Sequence, residues 1–280
     1  MRRLTLAVLL LAAPPALAEC PPSALMEQRA QQTLANIPLP ALPGLSLADG
    51  TCAQRELVAA LIRTLGPVVG WKAGLTNEAV QRAFGVAHPV RGALLEKMLL
   101  ENGSTVPAAF GAVPRFESDL LVRVSDEAIN QARTPEDVAR HIDAVIPFIE
   151  LPDLVLAQGE RFDGGTMLAI NVGARLGVMG AAIPVTPGLA ERLASMTVTL
   201  ADDTGREIAR SEGRALMGNP LSVVVWLAED MAASGQRLRK GDLLSLGSFS
   251  PLSPPAAGRT VTATYLGLAD QPVSVRVSFR

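Results

Sequence analysis

Residues 114–124, with the sequence PRFESDLLVRV, alternate between two faces with the period of two that is typical of a β-strand. Phe116, Leu120 and Val122 fall on one face. Glu117 and Asp119 are separated by one residue, so their carboxylates project from the same opposite face. Acidic side chains on an apolar strand are costly unless that face meets water or a cation. The pattern therefore predicts a strand that carries either a solvated face or a binding site.

A third acidic residue follows a second apolar stretch. Glu150 lies near the end of a predicted buried strand over residues 146–151, and Asp153 follows three residues later. Three carboxylates without a suitable Cys or His cluster favour a hard cation, Mg²⁺ or Mn²⁺, with Ca²⁺ as an alternative. The residues alone leave both interpretations open, because paired acids on a strand also form ordinary solvated surfaces.

Lys72 is a lone lysine inside an apolar, glycine-containing stretch, VVGWKAGL at residues 68–75, that predicts a strand. One interpretation is that the lysine marks an exposed edge strand. The other is a partly desolvated lysine beside an acid, able to move protons near neutral pH. The sequence by itself does not decide between them.

The order of predicted elements favours an α+β fold, since helices come first and are followed mostly by strands. We expect one domain over residues 19–280, with residues 19–66 forming a helical arm packed on it. Thr51 and Gln54 predict a capping box at the start of the second helix, which ends at Gly66. The other predicted helices cover residues 21–34, 77–84, 134–144 and 219–235, and the other extended segments cover residues 167–179, 197–201, 207–210, 243–247, 260–266 and 273–279.

The composition is that of an ordinary globular protein. The 280 residues are 49% hydrophobic and 19% charged, with a formal net charge of −2. Nucleic-acid binding requires a concentrated basic surface, and the sequence contains no long basic run, so no nucleic-acid partner is expected. No stretch after the N-terminal region approaches the roughly 18 unbroken apolar residues of a transmembrane helix.

The N-terminal residues have the pattern of a secretory signal peptide. Arg2 and Arg3 precede an apolar run at residues 4–13 and a small-x-small site at residues 16–18. We expect cleavage after residue 18 and a periplasmic or secreted mature protein. A lipidated Cys20 is the weaker alternative, because bulky, charged Glu19 precedes it.

Export also affects the interpretation of the two cysteines. Cys20 and Cys52 are the only cysteines of the chain. In an oxidising compartment we expect them to form a disulfide that ties the N-terminal arm to the first helix of the main domain. Two free thiols are the alternative, and neither residue has metal-ligand spacing.

Short segments along the chain resemble the fumarylacetoacetate hydrolase superfamily, in its 2-keto-4-pentenoate hydratase-like branch. They occur in the family's order across roughly residues 50–280. The segments are GWKAGLT at residues 70–76, PRFESD at 114–119, FIELPD at 148–153, GNPL at 218–221 with WLA at 226–228, and GD at 241–242 with GS at 247–248.

The resemblance implies a β-rich core, of the mixed roll or barrel type found in the C-terminal part of fumarylacetoacetase, together with N-terminal helices. It further implies that Glu117, Asp119 and Glu150 bind the divalent cation, and that Lys72 and Asp153 form the acid/base pair. By the same resemblance, the expected substrate-binding residues are Asn171, Arg175, Gly247 and Ser248.

The activity implied is that of a metal-dependent hydratase, a lyase, acting on a small 2-keto or 2-hydroxy-dienoic acid. A 2-oxo acid decarboxylase on the same scaffold is one alternative, and a non-catalytic carboxylate-binding protein is another. The second alternative arises because Leu154, Val155 and Ile170 depart from the residues usual in the hydratases, and because the expected export is unusual for them. The resemblance also implies a homo-oligomer.

Overall fold

The computed structural model describes residues 20–280, so the predicted signal peptide, residues 1–18, lies outside the described residues. Its α-helices are α1 (Ser23–Leu34), α2 (Leu47–Leu65), α3 (Glu78–Ala83), α4 (Pro135–Ala139), α5 (Gly164–Ala169), α6 (Leu189–Ser195) and α7 (Pro220–Ala233). Its strands are β1 (Val68–Gly74), β2 (Val90–Leu95), β3 (Leu99–Glu101), β4 (Thr105–Val106), β5 (Glu117–Val124), β6 (Ile142–Leu151), β7 (Leu176–Met179), β8 (Ile183–Pro184), β9 (Thr197–Asp202), β10 (Glu207–Glu212), β11 (Leu243–Ser245), β12 (Thr260–Leu266) and β13 (Val273–Phe279). Short 3₁₀ turns lie at Glu96–Met98, Glu127–Gln131, Asn171–Gly173 and Gly213–Ala215.

The larger sheet contains eight strands and brings together segments that are far apart in the sequence. Its order is β2-β1-β11-β5-β6-β7-β3, with β8 paired to β6. Strands β1 and β11 run parallel, whereas β5 pairs antiparallel with both β11 and β6. This mixed order places β1, β5 and β6 in one curved surface, although about 80 residues of sequence separate β1 from the end of β6.

The smaller sheet has the order β10-β9-β12-β13-β4 and packs on the larger one. A single buried cluster joins residues of β5 and β6, such as Leu120 and Ile149, to Val198, Tyr265 and Val277 of the second sheet. The apolar residues that the period-two pattern assigned to the core are therefore buried between the two layers. The predicted α+β fold is confirmed.

The N-terminal helices form a separate layer against this core. α1 packs on α2, and the predicted disulfide between Cys20 and Cys52 is present, with a Cα–Cα distance of 5.3 Å. α2 in turn lies directly on α5. A Cβ atom at Gly50 would stand 2.4 Å from the carbonyl oxygen of Gly165, so this helix contact depends on glycine.

Several boundaries differ from the sequence prediction, and three of the differences have a clear local cause. α2 begins at Leu47, four residues before the predicted capping box, because the Ser46 hydroxyl and Asp49 carboxylate cap its first turn reciprocally. α4 ends at Ala139 rather than near residue 144, because the following apolar residues pair with β5 as strand β6. Residues 167–179 are only partly extended, because Asp163 accepts from the backbone N–H of Thr166 and caps the short helix α5.

No helix within residues 20–280 is both long enough and apolar enough to cross a membrane.

Candidate active site

The three predicted ligand carboxylates lie together on β5 and β6. Glu117 and Glu150 are direct partners in the antiparallel register, and Asp119 follows on the same face of β5. Asp119 and Glu150 are buried, with 0% and 2% exposure, whereas Glu117 is half-buried. Glu117 and Asp119 thus share one face of β5, as the period of two predicts, and the pairing of β5 with β6 brings Glu150 to them.

Asp119 is held firmly by its neighbours. The Ser245 hydroxyl donates to Asp119 Oδ2 over 2.6 Å, and the Gly247 N–H donates to Oδ1 over 3.0 Å. The Leu120 N–H also donates to Oδ1. A carboxylate offers about four lone-pair positions, so at least one remains free for a further partner. The donors fix the orientation of this carboxylate.

Lys72 reaches the same cluster from β1. Its Nζ donates to Glu150 Oε1 and, over 3.0 Å, to the carbonyl oxygen of Val172. Val172 has a φ of +54°, a left-handed conformation uncommon for a β-branched residue. β1 lies between β2 and β11, so the interpretation of Lys72 as an edge-strand lysine is wrong.

The electrostatics keep Lys72 charged. Burial by itself lowers the pKa of the ammonium, but the charges of Glu150, Glu117 and Asp119 outweigh it and raise the pKa above its ordinary value. The three surrounding acids therefore favour the charged, proton-donating form of Lys72. Its role in proton transfer stays a prediction.

Burial and mutual repulsion disfavour the charged forms of the acids. Burial, followed by the charge of Glu150, raises the pKa of Glu117 well above its ordinary value. The same two causes raise the pKa of Asp119 to about 7. One ammonium faces three carboxylates, so two negative charges are uncompensated when all three acids are ionised.

This donor set fits a hard divalent cation in charge and in chemistry. The three side chains offer only oxygen atoms, and a dication would offset the charge that Lys72 leaves uncompensated. In their present rotamers, no three His, Cys, Asp or Glu side chains of residues 20–280 form a ready-made cation cage. The roles of Glu117, Asp119 and Glu150 as ligands therefore stay predictions.

A cavity of about 540 Å³ opens onto this cluster. Lys72, Glu117 and Glu150 form its charged end, so the acid/base groups face a space that can admit a small molecule. The other lining residues are Ala73, Gly74, Leu75, Thr76, Asn77, Val80, Pro152, Leu154, Met167, Val172, Ser211, Ala215, Leu216, Ser248, Phe249, Ser250, Pro251 and Leu252.

Asp153 occupies a different position from the one predicted. Its carboxylate accepts from the backbone N–H groups of Ala112, Val113 and Val155, over 2.8, 2.7 and 3.1 Å. The predicted pairing with Lys72 is not found. The Lys72 ammonium donates to Glu150 instead, and the Asp153 oxygens accept from backbone N–H groups. In this structure Asp153 anchors the loop before β5.

The four predicted substrate-binding residues separate into two groups. Ser248 lines the cavity, and the Gly247 N–H donates to Asp119 and orients its carboxylate. Asn171 is buried and bonds both backbone groups of Ala93, whereas Arg175 donates to Asn36. Neither Asn171 nor Arg175 is among the residues that line the cavity, so both contribute to the framework behind it.

Sequence reasoning missed two residues that support the acids. Ser245 orients Asp119, and the Tyr265 hydroxyl donates to the backbone carbonyl of Asp119 while accepting from the N–H of Phe148. Tyr265 is the only tyrosine of the chain and lies in a predicted strand. A single tyrosine at a buried strand position needs a hydrogen-bond partner, which was the available signal.

Comparisons with known proteins identify the family of the chain. No protein-family model matches the chain. A 2-keto-4-pentenoate hydratase of Burkholderia vietnamiensis is 32% identical over 76% of this chain and 78% of its own length. A 2-oxo-hept-4-ene-1,7-dioate hydratase of Escherichia coli is 28% identical over 80% of this chain and 84% of its own length.

Among solved structures, the 4-oxalocrotonate decarboxylase of Pseudomonas putida G7, complexed with magnesium and adipate, superposes with a TM-score of 0.80. It is 25% identical, and the match covers 92% of this chain and 97% of that one. The two-sheet α+β fold and the similarity to this decarboxylase and to the hydratases define a lyase of the fumarylacetoacetate hydrolase superfamily. Within that superfamily, the chain belongs to the 2-keto-4-pentenoate hydratase family.

Proposed function

We propose that this protein hydrates a 2-hydroxy-2,4-dienoic acid such as 2-hydroxypenta-2,4-dienoate. The observation that carries the proposal is the buried Lys72–Glu150 pair, which faces the cavity beside Glu117 and Asp119. The names of the similar 2-keto-4-pentenoate hydratases support the same substrate class. The product would be a 4-hydroxy-2-keto acid.

The chemistry requires protons to move at defined carbon atoms. The dienol first becomes a 2-keto acid when its 2-hydroxyl loses a proton and C5 gains one, which leaves the remaining double bond between C3 and C4. Water then adds its oxygen at C4 and a proton at C3. The overall reaction consumes one water molecule and involves no oxidation or reduction.

Lys72 and Glu150 supply the proton-transfer groups for these steps. Because Lys72 is an ammonium, it is the proton donor toward C5 of the bound dienol, and Glu150 is the adjoining acceptor that shares its proton. Burial of both side chains, at 3% and 2% exposure, keeps bulk water from the pair. The apolar remainder of the cavity holds the carbon chain of the substrate.

Glu117, Asp119 and Glu150 are the residues that would hold a divalent cation. Such a cation, Mg²⁺ or Mn²⁺ with Ca²⁺ as the alternative, would bind the substrate carboxylate and its 2-oxygen and stabilise negative charge there. The solved decarboxylase complexed with magnesium supports a divalent cation in this fold. Ser245 and Gly247 hold Asp119 in its orientation without any ion.

The test is product identification. Purified protein lacking residues 1–18 is incubated with 2-hydroxypenta-2,4-dienoate and Mg²⁺, and the loss of dienol absorbance is followed together with the proton NMR spectrum. We expect 4-hydroxy-2-oxopentanoate to accumulate at the rate at which the dienol disappears. Disappearance of dienol at only the uncatalysed rate, in protein shown to be folded, contradicts the proposal.

Decarboxylation is the second candidate, since the superposed decarboxylase covers 92% of this chain. It would release CO₂ from a 2-oxo diacid through the same charged end of the cavity. Incubation with 4-oxalocrotonate and measurement of CO₂ separates the two activities. Faster CO₂ release than dienol hydration would favour this candidate.

We also propose that the protein is exported and functions in an oxidising compartment. The leader pattern of residues 1–18 and the Cys20–Cys52 disulfide support this location. Expression of the full chain followed by mass spectrometry of the periplasmic fraction tests it. We expect an N-terminus at Glu19, and retention of residues 1–18 on a cytoplasmic protein would contradict it.

The homo-oligomer implied by the resemblance stays a prediction.

A further inference from the structure

The cavity is charged at one end and apolar over most of the remaining wall. Beyond the charged end, the wall includes Leu154, Met167, Phe249 and Leu252. Leu252 is 43% exposed, and Val80, on the opposing short helix α3, is 40% exposed. Large apolar side chains that are exposed at a cavity rim mark a surface suited to an apolar ligand.

The cavity volume exceeds what the smallest candidate substrate needs. At about 540 Å³ it lies in the range of about 300–1,000 Å³ that holds drug-sized ligands. A five-carbon dienoic acid bound at the charged end leaves the apolar wall uncovered. A longer carbon chain would cover it and bury more apolar surface.

The described lining of the cavity contains one cationic side chain. Among the described residues that line it, Lys72 is the only Lys, Arg or His, and its ammonium is already bound to Glu150 and to the carbonyl of Val172. Arg175, the guanidinium expected near the substrate, instead donates to Asn36 away from the lining. A second carboxylate at the far end of a ligand would find no opposite charge.

The uncharged hydrogen-bond donors that line the cavity do not supply the missing positive charge. The Ser248 hydroxyl, which lines the cavity, donates to the carbonyl of Ser250 over 2.6 Å, so its proton is in use. Asn77 and Thr76 offer hydrogen bonds but no charge. Glu117 and Glu150 line the same cavity and repel a further anion.

We propose that the site selects a 2-hydroxydienoic or 2-keto monocarboxylate with an extended, uncharged apolar tail, and that it discriminates against dicarboxylates of the same length. This inference rests on the hydratase function proposed above and assigns its substrate class. The single carboxylate and 2-oxygen occupy the charged end, and the tail lies along Leu154, Met167 and Phe249. Each buried methylene is worth about a fourfold gain in affinity.

A matched pair of seven-carbon substrates tests the selectivity. We expect kcat/KM for 2-hydroxyhepta-2,4-dienoate, with Mg²⁺, to exceed that for 2-hydroxyhepta-2,4-diene-1,7-dioate by at least about tenfold. The second carboxylate of the dioate would lose water against the apolar wall without gaining a cation, which weakens its binding. The seven-carbon monoacid should also have a lower KM than 2-hydroxypenta-2,4-dienoate. Equal or faster turnover of the dioate overturns the proposal.

Leu154 provides the test variant and Leu266 its matched control. Leu154→Arg introduces a guanidinium on the apolar wall and should shift the kcat/KM ratio at least about tenfold toward the dioate, because a buried carboxylate then gains a bidentate partner. Leu266→Arg, at an exposed leucine that does not line the cavity, adds the same charge elsewhere and should leave the ratio unchanged. A ratio that does not move in folded Leu154→Arg counts against the proposal.

Binding of unreactive analogues separates this inference from the proposed function. Calorimetry with wild-type protein, Mg²⁺ and either 2-oxoheptanoate or 2-oxoheptanedioate needs no turnover and no variant. A tenfold or greater preference for 2-oxoheptanoate without any dienol turnover would retain the selectivity and refute the hydratase. Dienol turnover with a preference for the diacid would support the hydratase and refute the selectivity. Binding of neither analogue would overturn the selectivity.

Discussion

At the scale of single residues, the site is a balance of charge in a buried space. One ammonium, Lys72, compensates part of the charge of Glu117, Asp119 and Glu150, and the cavity gives a substrate access to that group. The identities of these residues were predicted from the sequence. Their partners were not, because hydrogen-bond pairing depends on side chains from strands that meet only in the folded sheet.

Replacement of Lys72 should separate catalysis from folding. We expect Lys72→Met to lower turnover by about 10²–10⁴-fold, the usual contribution of a positioned acid or base. The rise in melting temperature caused by Mg²⁺ should become larger than in wild type, because Glu150 loses its ammonium partner. Exposed Lys240→Met is the control. Turnover within threefold of wild type in Lys72→Met would refute the assigned role.

Asp153 offers a test between a structural and a chemical role. Because its carboxylate accepts three backbone N–H bonds, Asp153→Asn should lower the free energy of unfolding by about 1–3 kcal/mol. We expect its turnover to fall much less than that of Lys72→Met. Urea unfolding and turnover are compared with exposed Asp270→Asn. A stable Asp153→Asn protein with no activity would instead restore the predicted acid/base role.

At the scale of elements, strands with strict alternation were predicted well and short helices were not. β12 alternates along its whole length, with Val261, Ala263 and Tyr265 buried on one face, which fixes its assignment. α5 has six residues, all buried, so no periodicity distinguishes it from a strand. The early start of α2 depends on the Ser46–Asp49 cap, which competed in the sequence with the equally plausible Thr51–Gln54 pair.

The disulfide should stabilise the helical layer rather than the site. Cys20 and Cys52 are 32 residues apart, and closure of a loop of that length is worth about 3–4 kcal/mol through the entropy of the unfolded chain. Reduction should therefore lower the melting temperature of the wild type, while the Cys20→Ser/Cys52→Ser variant does not respond to reductant. An identical melting temperature with and without reductant would show that the disulfide contributes nothing.

The β9–β10 hairpin should be sensitive to acid. Asp202 accepts from the hydroxyl and N–H of Thr204, from Arg206 and from Arg259, and these bonds lower its pKa to about 2. Because this value is below the ordinary 3.8, the ionised group stabilises the fold above about pH 4 and loses that effect as the pH falls toward 2.

Asp202→Asn should accordingly be less stable than wild type at pH 6, with a difference that shrinks toward pH 2. Asp203→Asn is the neighbouring control, because its carboxylate pairs with Arg259 and is 40% exposed. Thermal unfolding from pH 2 to 6 measures both variants. A constant difference between wild type and Asp202→Asn across that range would exclude the linkage.

At the scale of the whole molecule, the site exists because the mixed sheet aligns β1, β5 and β6. Lys72 and Glu150 are 78 residues apart in sequence, yet their side chains are in direct contact. The sequence allowed the acid face and the lysine to be singled out separately. Only the family resemblance linked them, since periodicity describes one strand at a time and says nothing of which strands pair.

If Lys72 and the three acids carry out a cation-dependent hydration, dienol turnover must depend on the cation and on these side chains. Rates with 2-hydroxypenta-2,4-dienoate are measured in Mg²⁺ and in EDTA for wild type, Glu117→Gln, Glu150→Gln and, as the control, exposed Glu160→Gln. We predict that chelation abolishes turnover, that both cavity variants lose at least about 100-fold, and that Glu160→Gln keeps the wild-type rate. Full activity in EDTA, or in folded Glu117→Gln and Glu150→Gln, would contradict the account.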